Sequence, residues 1–103
     1  MNKKQAGETI IKFRFYEVGE GGRQSPLPLK EFRCPMMIDN ELFDCLINIP
    51  NGGPVNPGDT ILASVEFLSP DLVLPMLHIG KKVQLWERGV IAEGEVSAIG
   101  NEK

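Results

Sequence analysis

Histidine is almost missing from this chain, and with it most of the groupings that catalysis needs. His78 is the only imidazole, and its neighbours Met76, Leu77, Ile79 and Gly80 offer neither a nucleophile nor a second metal ligand. The two thiols, Cys34 and Cys45, come without the further ligands that a zinc site requires. No acid–base pair or activated nucleophile stands out, so the sequence predicts no enzyme, no metal and no cofactor. Positive charge is also scarce: 11 Lys and Arg stand against 14 Asp and Glu, a formal charge of −3. That balance argues against a strongly electrostatic nucleic-acid binder and predicts no DNA partner. No apolar run approaches the roughly 18 residues of a membrane helix, so no membrane partner is expected. The opening MNKKQAGET leads into no signal-type apolar segment. With only two cysteines, this predicts a cytoplasmic protein whose thiols stay reduced.

Turn chemistry, by contrast, is plentiful. Eleven Gly and eight Pro in 103 residues favour short strands and turns over helices, and the length leaves room for one core. Residues 1–7 read as a flexible N-terminus and 8–103 as a single β-barrel domain. Ile11, Phe13 and Phe15 alternate with Lys12, Arg14 and Tyr16, the period of a half-buried strand. Gly19, Gly21 and Gly22 then break the chain. A phosphate cradle would need a following helix and usually a Lys, but Pro26 and Pro28 follow instead, so this is a turn and a crossing. Extended structure resumes at Phe32 and runs to Ile38, with Pro35 inside it, which belongs at an edge or a bulge. Asp39-Asn40 is a turn pair, after which Phe43, Cys45, Ile47 and Ile49 share a face. Turn-rich sequence over residues 51–59 precedes the clearest strand, with Ile61, Ala63, Val65 and Phe67 inward. Leu72 to Ile79 has no convincing helical spacing and reads as an irregular, partly buried crossing. Val83 and Leu85 alternate with Trp86, and the small residues Ala92, Gly94 and Ala98 share a face with Val96 in a last strand.

Six short strands, each with one apolar face, bury a core only by closing on themselves or stacking two sheets. Small residues on the inward face of the last strand suit the tight interior of a small barrel. The predicted fold is therefore all-β, a closed antiparallel barrel with Phe13, Phe15, Phe43, Ile47, Ile61, Val65, Phe67 and Val83 in its core. A two-residue hairpin at Asp39-Asn40 sets Cys34 opposite Cys45; a pair is conceivable, and neighbouring reduced thiols are the plainer outcome. Leu62, Leu68 and Trp86 fall on the outward parity of their strands, where large apolar groups suggest a docking patch. Arg23, Arg33, Lys30, Lys81, Lys82 and Arg88 either form a basic strip or are solvated charges among Glu20, Glu31 and Glu87.

Several signposts fall in a familiar order: EGGRQSP at 20–26, FRCP at 32–35, Ile49-Pro50, PGDT at 57–60, GKKVQLWERG at 80–89 and the closing VIAEGEVSAIG. Together they resemble the C-terminal β-barrel of bacterial elongation factor Tu, over nearly everything from Glu8 to Gly100. The resemblance implies a six-stranded Greek-key barrel that binds partners: the T-arm of aminoacyl-tRNA, the GTPase domain and the nucleotide-exchange factor. No phosphate loop of the Gly-x-x-x-x-Gly-Lys-Ser/Thr kind occurs, so no GTP hydrolysis is expected. Where the family hairpin is Arg-Thr-Thr, this chain reads Ile38-Asp39-Asn40-Glu41, and acidic groups there oppose tRNA. The final turn, Arg88-Gly89-Val90-Ile91, is shorter than the family's, and Trp86 stands where the family has an arginine. The expectation is a non-enzymatic module engaging a protein partner, connected with translation, through Trp86, Leu62, Leu68, Arg23, Arg33 and Arg88. An RNA-binding module keeping the T-arm contact is the alternative.

Overall fold

The period-two patterns become six strands in a computed structural model that describes residues 8–24, 26–27 and 30–100. The stretch expected to be a flexible N-terminus, residues 1–7, lies outside the described residues, as do Pro28 and 101–103. The strands are β1 (Ile10–Phe15), β2 (Glu31–Ile38), β3 (Glu41–Asn48), β4 (Thr60–Phe67), β5 (Lys82–Trp86) and β6 (Val90–Ala98). They form a closed barrel in the order β1-β4-β3-β2-β5-β6, with β6 returning to β1. Every pairing is antiparallel.

The inward parity expected from the sequence holds along most strands. Ile11, Phe13 and Phe15 of β1, Ile47 of β3, Val65 and Phe67 of β4 and Val83 of β5 are all buried. Phe43 and Ile61 are the exceptions: both are only partly buried and pack against the core from outside it. Each sits near the start of its strand, at a mouth of the barrel where the wall no longer encloses it. The interior is tight on the β6 side. Gly94 is the register partner of Phe13, and a Cβ there would lie 2.9 Å from two carbons of the Phe13 ring. The missing side chain makes room for the largest fully buried one.

Local chemistry accounts for the connections. Asp39 and Asn40 both take left-handed conformations (φ 51° and 70°), the two-residue hairpin turn that such residues favour. That turn sets the β2–β3 register and makes Cys34 and Cys45 direct partners. After β1 the chain makes a short 3-10 turn, Val18–Glu20, closed by a capping box between Glu17 and Glu20. Glu20 accepts from the Glu17 N–H at 2.9 Å and from both terminal nitrogens of Arg14 at 3.2 Å, tying the crossing to the barrel wall. Gly22 follows where a Cβ would collide with the Tyr16 carbonyl, so only glycine fits the return. The glycine cluster is thus a turn. Leu27 then plugs this end of the core, its N–H bonded to the Val55 carbonyl at 2.9 Å.

The second crossing differs from expectation. Instead of irregular chain, Pro70–Val73 forms one turn of helix, α1, and Leu74–Met76 continues as a 3-10 turn. Pro70 at the first helical position is preset for it, and the Ser69 carbonyl accepts from both Leu72 and Val73. Val73 and Leu77 are buried against the core. One turn is too short to show a 3.6-residue period, which is why the pattern was not visible.

Two outcomes follow from this packing. Gly94→Ala overpacks the interior against Phe13 and should destabilise the fold by about 1–3 kcal/mol, read from denaturant unfolding; an unchanged midpoint would show that the Phe13 ring can yield. For Glu20, the bonds from Arg14 and from the Glu17 N–H hold its carboxyl below the ordinary 4.5. A lowered carboxylate contributes stability that is complete above that value and fades as pH falls through the folded-state value. The stability gap between wild type and Glu20→Gln should therefore narrow as melts are taken below pH 4.5.

Candidate functional site

The closed strand order separates the residues that outward parity had grouped. β4 and β5 stand three steps apart in either direction round the barrel, so they are opposite each other. Leu62 and Leu68 lie on the β4 wall, 58% and 59% exposed, whereas Trp86 lies on the far wall and is half-buried. They do not form one patch. Leu68 instead keeps company with residues that sequence parity did not single out. Its N–H bonds the Asp44 carbonyl at 3.1 Å, and exposed Leu42 lies two residues along β3 on the same outer face. Exposed Leu72 follows on α1, a helix not expected at all.

Trp86 sits at the narrowest place in the wall. The β2–β5 ladder contains only Met36↔Leu85 and Met37↔Gln84. Extending that register sets Pro35 opposite Trp86, with both half-buried on the outer face. Asp44 turns its carbonyl toward Leu68 on the β4 side, so its β2 partner Pro35 turns its backbone toward β5. Pro35 has no N–H to offer the Trp86 carbonyl there. The Cys34 thiol takes over: its Sγ lies 3.3 Å from the Trp86 oxygen and 3.3 Å from the Pro35 oxygen. Burial pushes the Cys34 thiol up to about 11, so it keeps the proton that this donation needs. Cys45, pushed up by burial to about 12, donates to the Cys34 carbonyl at 3.2 Å. Both cysteines are free thiols and serve as backbone donors. A proline within a strand was expected at an edge or bulge. A closed barrel has no edge, and Pro35 sits at the seam with the shortest ladder.

The arginines gather at the same end. Arg23 reaches from the first crossing, its guanidinium 5.2 Å over the Phe32 ring and 3.4 Å from Glu87 in the β5–β6 turn. Arg33 is exposed on the outer face of β2. Arg88 is held at the tip of the β5–β6 turn with φ 60°, where the Glu87 N–H bonds the Gly89 carbonyl at 2.7 Å. The wider basic strip does not survive as a unit. Lys81 pairs with Asp39 at 2.7 Å and Lys82 with Glu95 at 3.5 Å, away from the Trp86 end. The α1 crossing enters β5 at Lys82, four residues and about 13 Å along the strand from Trp86.

Across β1, β6 and β5 the wall is polar, and Arg14, Lys82, Glu93 and Glu95 are paired there. Lys12, Arg14, Lys82, Glu93 and Glu95 line a shallow groove across β1, β6 and β5, and Arg14 already holds Glu93 at 3.2 Å as well as Glu20. His78 is exposed, with Nδ1 3.1 Å from the Ile79 carbonyl oxygen. Among the described residues no three His, Cys, Asp or Glu side chains gather as a metal site, and no helix is long and apolar enough to cross a membrane. Comparison of the chain with protein-family models gives no match, and a search of curated proteins gives none either.

The role assigned to Cys34 can be measured by a double-mutant cycle with Pro35. Cys34→Ala strips the Trp86 carbonyl of its donor and should cost about 1–3 kcal/mol in denaturant unfolding. In a Pro35→Ala background the restored N–H can serve the same carbonyl, so the cost of Cys34→Ala should fall. Additive effects would mean that the two positions do not share that oxygen.

Proposed function

We propose that this chain is a non-enzymatic binding module, a barrel similar to the C-terminal domain of elongation factor Tu, that engages a protein partner of the translation machinery. The observation that carries the reading is Trp86 on the outer wall of the β2–β5 seam. A large indole faces outward there, half-buried, beside Pro35 and the arginine-bearing end of the barrel. Indole and guanidinium groups are the usual anchors of protein–protein contacts. The strand order lends support to the family likeness: β2, β3 and β4 run consecutively and β1 lies beside β4, as in a Greek key.

A T-arm contact is the weaker reading. The hairpin that faces RNA in the family carries Asp39 and Glu41 here, and both are exposed. Asp39 also holds the Lys81 ammonium, which is then withdrawn from any phosphate. Net charge and hairpin both work against a polyanion.

Capture on the immobilised barrel tests this. Trp86→Ala should keep its far-UV circular dichroism and melting temperature yet lose captured translation proteins, on the scale of ~2 kcal/mol of binding. A Leu62→Ser variant on the opposite wall should capture as wild type does. tRNA should not be retained at about 0.15 M salt. Unchanged capture by Trp86→Ala would remove this wall from the function, and sub-micromolar tRNA binding at that salt would install RNA as the partner.

A further inference from the structure

We infer that the partner presents an acidic segment to the Trp86 wall, with an apolar side chain set against Trp86 and Pro35 and carboxylates placed on Arg33 and Arg88; this rests on that wall being the binding surface. The reason is which cations the barrel leaves unmatched. Of the eight Lys and Arg among the described residues, four have carboxylates within 4.0 Å: Arg14, Arg23, Lys81 and Lys82. The remaining four are Lys12, Lys30, Arg33 and Arg88, and three of those lie at one end of one seam. Lys30 and Arg33 flank the start of β2, and Arg88 tips the turn that follows Trp86. In a chain of net charge −3, this end of the seam is where an incoming carboxylate meets an unoccupied guanidinium. Guanidinium forks suit carboxylates, taking two bonds at once.

The charges around these arginines select a peptide over a nucleic acid. Glu31 is exposed two residues before Arg33 on the same outer face, and exposed Asp44 is the β3 partner of Pro35. Glu87 is already held by Arg23. A phosphate backbone carries charge at short regular intervals and would meet Glu31 and Asp44 as well as the arginines. A peptide can space its carboxylates to reach Arg33 and Arg88 and set neutral groups against the two acids. Trp86 and Pro35 between them give its apolar side chain a dry step to lie on.

Trp86 is the only tryptophan in the chain, so its emission reports on this site alone. The acetylated peptide Glu-Glu-Phe-Glu-Glu, titrated into the wild-type protein, should shift that emission saturably. Its affinity should fall with added salt and drop about tenfold or more in Arg33→Ala, Arg88→Ala. Lys12→Ala, on another wall, should bind as wild type. Lys-Lys-Phe-Lys-Lys and poly(U) should leave the emission unchanged. Binding of the lysine peptide, binding of poly(U), or full affinity for the acidic peptide without the two arginines would overturn the acidic partner while leaving the wall in use. No response to any of these probes overturns the acidic partner too, and the wall itself falls only if Trp86→Ala also leaves partner capture intact.

Discussion

A sheet of six strands ends in two rows of unpaired N–H and C=O groups unless its edges meet. In this barrel they do meet, and every strand has a partner on both sides. The closure is least complete between β2 and β5, where the ladder is two residues long and a proline withholds the next donor. The seam remains satisfied because a buried, protonated thiol stands in for an amide. Cys34 and Cys45 therefore matter here through one hydrogen each, and the burial that makes them poor nucleophiles is what lets them donate.

Packing and closure are coupled across the barrel. Phe13 fills the centre only because Gly94 has no side chain, and that approach brings β1 and β6 together as the last step round the ring. The two mouths are then stoppered from the crossings, by Leu27 at one and by Val73 and Leu77 at the other. Each stopper hangs on a local device. A capping box and a glycine at a forbidden Cβ position shape the first crossing, and a proline-started helical turn shapes the second.

The outside of the barrel follows a different logic. Cross-strand ion pairs occupy the β1, β6 and β5 faces, which are exposed and individually worth little. Among the described residues, Lys30, Arg33 and Arg88 at the Trp86 end of the β2–β5 seam have no such ion pair. An exposed apolar row, Leu42, Leu68 and Leu72, runs along β3 and the join of β4 to α1, on the other side of β2 from Trp86. One small domain thus presents two unlike faces, one aromatic and cationic and one aliphatic.

Much of this was legible in the residues. Alternation of Ile11, Phe13 and Phe15 against Lys12, Arg14 and Tyr16 states which side is inward, because strand parity is local. Asp39-Asn40 states the hairpin, and with it the facing of Cys34 and Cys45, because a two-residue turn sets register by itself. The small residues of β6 state a tight interior. Tertiary structure alone decided which outward residues share a wall. Leu62, Leu68 and Trp86 have the same parity but stand on opposite strands, since closure order depends on contacts between segments far apart in sequence. The same holds for Lys81 with Asp39, Arg23 with Glu87, and the Cys34 thiol with the Trp86 carbonyl: each joins residues that no local period connects.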